Sequence, residues 1–115
     1  MNLKNKIVVV TGASNGIGRA CAEGFLTKNA KVYGIDIDEY NGKKLEKEFK
    51  NFTYIQGDIS NAIDISRAKK IILDKEGKID VLINNAAKQT SSSFFETNID
   101  DFKDVINTNL IGTFI

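Results

Sequence analysis

Four β-branched residues in a row, Ile7-Val8-Val9-Val10, lead directly into Thr11-Gly12-Ala13-Ser14-Asn15-Gly16-Ile17-Gly18. A continuous apolar run of this kind suits a strand buried on both faces, the environment found inside a parallel sheet. From Ile17 to about Lys28 the residues Ile17, Ala20, Cys21, Gly24 and Phe25 recur at helical spacing, and Asn29 is a plausible helix stop. Strand, glycine turn and helix thus follow one another. At Gly12, Gly16 and Gly18 bare backbone meets the unsatisfied N–H groups of a helix start, which together accept an anion such as a pyrophosphate. The spacing Gly-x-x-x-Gly-x-Gly differs from the Gly-x-Gly-x-x-Gly dinucleotide fingerprint. On the glycines alone, the segment reads equally well as a sharp βα turn with no ligand.

The alternation continues along the chain. Lys31 to Asp36 reads as a second strand, and the charged stretch Asn41 to Lys50 as a solvent-facing helix anchored by Leu45 and Phe49. Phe52 to Gln56 makes a third strand. A helix from about Ser60 to Lys75 carries Ile65, Ala68 and Ile72, with Ile71 on its flank, before Ile79 to Ile83 supplies a fourth strand. After a loop rich in Ser and Thr, a last amphipathic helix starts near Thr97 or Asn98, with Ile99, Phe102, Val105, Ile106 and Leu110 on one face. The pattern βαβαβαβα predicts an α/β fold: a Rossmann-like, doubly wound parallel sheet with right-handed crossovers and helices on both faces. In such sheets ligands bind where the strand order reverses, between the first and fourth strands of the order 3-2-1-4-5-6. Both strands are here, so the expected order is 3-2-1-4, with the later strands absent from this chain.

Composition narrows the function. The 115 residues carry Lys+Arg 16 against Asp+Glu 15, a net charge of +1, which gives no footprint for nucleic acid or an anionic membrane surface. No apolar run approaches the roughly 20 residues of a membrane span. The run behind the basic start is too short for a signal peptide, so a cytoplasmic location is expected. A single Cys21 and no His leave no internal disulfide, close to no prospect of a zinc site, and none of the commonest general base. The run Gln89-Thr90-Ser91-Ser92-Ser93 therefore reads as a loop rather than a nucleophile, and Lys43-Lys44 and Lys69-Lys70 as solvated helix faces.

Asp36 closes the second strand 18 residues after Gly18, near the offset at which an acid meets the adenosine ribose of a dinucleotide. A carboxylate there accepts hydrogen bonds from both ribose hydroxyls and repels a 2′-phosphate. Neither Asn15 nor Ile37 offers positive charge to hold that phosphate, which favours NAD over NADP. The other reading of Asp36 is an acid on a solvated turn.

Thr11-Gly-x-x-x-Gly-Ile-Gly18, Asp36, Asp58-Ile59 and Asn84-Asn85-Ala86-Ala87 together resemble, in order and spacing, the N-terminal half of the short-chain dehydrogenase/reductase family, and the resemblance covers the whole chain. It implies that Gly12, Ser14, Asn15, Gly16, Ile17 and Gly18 hold the cofactor pyrophosphate, with Asp36 and Ile37 at the adenosine ribose. It further implies Asp58 at the adenine amino group, Ile59 packed near the ring, Asn84 bracing the central sheet, and Asn85 and Ala86 lining the cofactor. Ala87 stands where the family has glycine, which adds a methyl group beside the cofactor channel. Asn109, 25 residues beyond Asn84, resembles the family's active-site Asn, which holds a water in the proton relay.

The family's remaining catalytic groups are a Ser and a Tyr-x-x-x-Lys pair well beyond the fourth strand. The sequence ends at Ile115 without them. Its one match, Tyr40 with Lys44, falls at the adenosine end and reads as coincidence, and Lys88 alone makes no relay. Two functions follow from this. One is the N-terminal part of an NAD-dependent oxidoreductase acting on an alcohol or ketone, inactive as these residues alone. The other is a non-enzymatic dinucleotide-binding module or truncated relic. An apolar fourth strand at the sheet edge leads to the further expectation of a homo-oligomer.

Overall fold

All five residues of β1 (Ile7–Thr11) are buried, as an uninterrupted β-branched run requires when helices cover both faces of its strand. The computed structural model describes residues 2–87 together with 99, 100 and 103. After β1 come α1 (Gly16–Thr27), β2 (Lys31–Asp36), α2 (Glu39–Glu48), β3 (Phe52–Gln56), α3 (Ala62–Glu76) and β4 (Val81–Ile83). The four strands form one parallel sheet in the order β3-β2-β1-β4, the doubly wound arrangement the sequence predicts. Val8 pairs with Val32 on one side and Val81 on the other, which fixes β1 at the centre. Residues 99, 100 and 103 are helical, within the span read as the last helix. Asn109, Lys88 and the Gln89–Ser93 loop lie outside the described residues.

Side-chain alternation along the strands divides the core in two. Val8, Val10 and Val32 point to the face covered by Ala22 and Leu26 of α1 and Leu45 of α2. Ile7, Val9, Tyr33, Ile35 and Ile55 point to the other, under Ala68 and Ile72 of α3. Leu45 and Ile72 are fully buried, and each such side chain contributes about 1.5–3 kcal/mol of transfer free energy.

Three local features differ from the sequence reading, each for a physical reason. The buried stripe of α1 is Gly18, Ala22 and Leu26, with Phe25 partly buried, rather than the face led by Ile17, Ala20 and Gly24. Small residues let the helix approach the sheet, and that close approach rather than hydrophobicity sets its rotation. α2 begins at Glu39, earlier than Asn41, because the Asp38 side chain caps it by accepting the Asn41 N–H at 3.1 Å. β4 begins at Val81 rather than Ile79. The Asp80 carboxylate takes the Ile7 N–H at 2.8 Å, a donor that a longer ladder would have used. Asn29 stops α1 in the left-handed conformation, φ 63°, its N–H reaching the Leu26 carbonyl at 3.0 Å.

Candidate functional site

At the carboxyl ends of the strands, where the order reverses between β1 and β4, lies a cleft of about 340 Å³. Its walls come from four chain segments. Gly12, Asn15, Gly16 and Ile17 belong to the turn after β1, Ile35, Asp36 and Ile37 to the end of β2, and the remainder to the segments after β3 and β4, namely Gly57, Asp58 and Ile59 with Asn85, Ala86 and Ala87. Eleven of the thirteen residues singled out as cofactor-binding from the sequence line this cleft. The other two lie behind it. Ser14 is 1% exposed and supports the wall from beneath, and Gly18 is buried in the first turn of α1.

The turn after β1 presents an open helix start. Asn15 is the N-cap residue of α1, yet its side chain makes no capping bond, and no acid lies in the first turn. By contrast, α2 is capped by Asp38 and α3 by Asn61, and each has an acid in its first turn. The orphan N–H groups and positive end of the α1 dipole are thus left to whatever enters the cleft. Gly16 has φ +61°, and a Cβ built on it meets nothing within 4 Å. Backbone is therefore bare on the cleft side of the turn. Gly18 is needed for the opposite reason, because a Cβ there would strike the Gly12 carbonyl oxygen.

Asp36 is fixed before any ligand arrives. Its Oδ2 accepts the Ser14 N–H at 3.1 Å and its Oδ1 the Asp38 N–H at 3.0 Å. The Asp36 carbonyl accepts the Tyr54 hydroxyl at 2.8 Å and the Gly57 N–H at 3.2 Å. Asp38 sits behind it, its carboxylate held below the ordinary range by the Asn41 side chain and N–H, with Asn15 adding to the effect. The Tyr54 hydroxyl is pushed up to about 12, first by burial and then by the carboxylates of Asp36, Glu39 and Asp38. This end of the cleft is therefore a negative field with spare carboxylate lone pairs, suited to hydroxyl donors and hostile to a second anion. Asp58 is likewise set, accepting the Ser60 N–H and hydroxyl at 2.9 and 2.7 Å.

Across the crevice, Thr11 ties β1 to the loop after β4. Its Oγ1 accepts the N–H groups of Asn85 and Ala86, both at 3.0 Å, and the Asn85 side-chain amide donates to the Gly12 carbonyl at 3.2 Å. Asn84, expected to brace the central sheet, lines a separate apolar groove beside Ile72 and Leu82. Sequence reasoning gave no role to Thr11, Asp38 or Tyr54, and missed Ile35 and Gly57 in the cleft wall. A signal existed for Asp38, which stands three residues before Asn41 at a strand-to-helix junction. Tyr40 is 78% exposed and is not part of the cleft wall. Among the described residues, no group of three or more His, Cys, Asp or Glu side chains is placed to hold a metal ion.

The sequence and the fold have close counterparts. A family model described as short chain dehydrogenase matches residues 6–115. The L-fucose dehydrogenase of Mus musculus is 34% identical over 110 residues, which cover 95% of this chain and 40% of that protein. The 3-hydroxyacyl-CoA dehydrogenase type-2 of Drosophila melanogaster is 33% identical over 119 residues, covering 97% and 47%. Among solved structures, a short chain dehydrogenase from Bacillus anthracis superposes with a TM-score of 0.93 at 30% identity, over 99% of this chain and 48% of that one. A 3-ketoacyl-(acyl-carrier-protein) reductase from Brucella melitensis, complexed with NADH, superposes with a TM-score of 0.91 at 28% identity, over 97% and 47%. The chain thus spans a little under half the length of these relatives. The family match over nearly the whole chain, on a sheet of this order with a glycine turn at its reversal, places it in the short chain dehydrogenase family.

Proposed function

We propose that the cleft binds NAD(H) and that the protein serves as an NAD-dependent oxidoreductase, moving hydride between the nicotinamide and an alcohol or ketone. The observation that carries this reading is the uncapped start of α1 beside a pre-oriented Asp36. Gly12, Asn15, Gly16 and Ile17 would take the pyrophosphate, with Ser14 and Gly18 shaping the turn from behind. Asp36 and Ile37 would face the adenosine ribose, Asp58 and Ile59 the adenine, and Asn85, Ala86 and Ala87 the path toward the nicotinamide. When bound, the cofactor supplies the hydride chemistry, and the protein supplies position, charge and exclusion of water. The negative field around Asp36 supports NAD over NADP, because a 2′-phosphate would enter beside Asp36, Asp38 and Glu39.

The family's relay needs a phenol and a lysine at the nicotinamide end, with Asn109 holding a water. The one Tyr-x-x-x-Lys in the sequence, Tyr40 with Lys44, stands on α2 beyond Asp36. The 115 residues alone are therefore proposed to bind cofactor without turnover. A cytoplasmic location with Cys21 as a free thiol belongs to the same proposal. So does a homo-oligomer, supported by Leu82, 55% exposed on β4, a strand paired only with β1 among the described residues. Calorimetric titration of the 115-residue chain with NADH tests the reading. Saturable one-to-one binding that weakens at least tenfold in Asp36→Ala is expected, whereas no binding, or binding indifferent to Asp36, would refute it.

A further inference from the structure

The reason α1 has no side-chain cap is visible in the structure. Asn15, in the capping position, turns its amide away from its own helix and donates to Asp38 Oδ2 at 3.2 Å. The same oxygen accepts the Asn41 side chain at 2.7 Å, and Oδ1 accepts the Asn41 N–H at 3.1 Å. The Asp38 carbonyl accepts the Ser14 hydroxyl at 3.3 Å, and its N–H donates to Asp36 Oδ1 at 3.0 Å. Asp38 thus joins the glycine turn to the end of β2, touching Ser14, Asn15 and Asp36 without itself forming the cleft wall.

We infer that Asp38 is a positioning residue that sets cofactor affinity and cofactor choice, an inference that rests on the cleft being an NAD(H) site. It acts in two ways. By engaging the Asn15 amide it keeps a ready capping side chain off the first N–H groups of α1, leaving them for the pyrophosphate. By adding a second carboxylate behind Asp36 it raises the electrostatic cost of a 2′-phosphate at the ribose end.

Two kinds of substitution separate these actions. Asn and Ser cap helices about as well as Asp, so Asp38→Asn and Asp38→Ser remove the charge and keep the start of α2. Asp38→Ala removes charge, cap and tie together. Dissociation constants for NADH and NADPH are measured on the 115-residue chain and each variant, with thermal melting to establish folding. The NADPH-to-NADH ratio of dissociation constants is expected to fall on the order of tenfold in Asp38→Asn and Asp38→Ser, the effect of one unit charge on a phosphate dianion across a partly solvated gap. In Glu39→Gln, whose charge is paired with Lys43 at 3.1 Å, the ratio is expected to move less than threefold. Asp38→Ala is expected to weaken NADH several-fold, with Asp38→Asn recovering most of the loss. A purely structural role would lower the melting temperature without moving the ratio. If the unaltered chain binds NADH and the ratio moves less than twofold in both Asp38→Asn and Asp38→Ser, the inference about Asp38 is overturned and the cleft reading stands. If the unaltered chain fails to bind NADH, the cleft reading falls and takes the inference with it.

Discussion

Gly18 and Gly24 lie on the same helix, six residues apart, and adding a methyl group to each has opposite consequences. At Gly24 a Cβ meets nothing within 4 Å. There Gly24→Ala gains helix propensity and restricts the unfolded chain, for a stabilisation of about 0.5–1 kcal/mol. At Gly18 the new carbon would strike the Gly12 carbonyl oxygen and come within 2.7 Å of the Gly12 carbonyl carbon and 2.5 Å of the Asn85 side-chain nitrogen. Two of these are backbone atoms at the end of β1, so relief requires α1 to lift from the sheet. Overpacking of this severity costs about 2–3 kcal/mol, and the propensity gain of up to about 1 kcal/mol offsets only part of it. The net expectation for Gly18→Ala is a loss of about 1–2 kcal/mol, which separates the two variants by about 1.5–3 kcal/mol. Urea unfolding followed by circular dichroism reads this directly. With a slope near 1.5 kcal/mol/M, typical for a domain of this size, the midpoints should differ by about 1.5 M, with Gly24→Ala above the unaltered chain and Gly18→Ala below it. Equal midpoints would mean that α1 does not rest on Gly12 as described.

Thr11→Val leaves the Asn85 and Ala86 N–H groups without their acceptor and is expected to cost about 1–3 kcal/mol, whereas Thr11→Ser keeps the oxygen and loses less; equal losses by urea unfolding would contradict the tie. The buried Tyr33 hydroxyl donates to Glu76 at 2.7 Å, so Tyr33→Phe should cost about 1–2 kcal/mol at neutral pH. Glu76 is held below its ordinary value chiefly by that bond, with Lys31 adding to it. Its stabilisation is present above the unfolded carboxyl value near 4.5 and is lost as pH falls through the lower folded one. The gap between the unaltered chain and Tyr33→Phe should therefore narrow in urea midpoints taken from pH 6 down to pH 3, and a constant gap would refute the coupling. On the alkaline side, Tyr54, pushed up to about 12 by burial and the nearby carboxylates, contributes stability below pH 10 that is lost as pH climbs through the folded value. Tyr54→Phe should flatten that decline in melting temperature.

Much of this molecule is legible in the linear sequence, and the parts that are not share a cause. The β-branched run at Ile7 to Val10 has one good solution, a strand covered on both sides, and the glycines after it cannot continue that strand. Asp36 is legible because its distance from the turn is set by one helix and one strand, lengths that vary little. The buried face of α1 is not, since Ile17 looks like a core residue and is in fact 76% exposed at the cleft rim. Hydrophobic periodicity cannot tell a residue buried in the core from one held out toward a ligand. The tie between Thr11 and the loop after β4 spans 74 and 75 positions in the chain, and Asp38 acts through the glycine turn 23 and 24 positions away. No local pattern encodes such pairings, which exist only once the sheet has brought its strand ends together.

In the proposed complex a dinucleotide lies across the strand ends with its pyrophosphate on the start of α1. Two-dimensional amide NMR of the 115-residue chain, titrated with NADH, reads this placement residue by residue, because each backbone N–H reports its own surroundings. The largest shifts are expected at Asn15, Gly16, Ile17 and Gly18, with further shifts at Asp36, Ile37, Asp58, Ile59 and Asn85, and none at the groove of Lys31, Lys50 and Lys75. Shifts centred on those lysines, or an undisturbed glycine turn at saturating NADH, would contradict it.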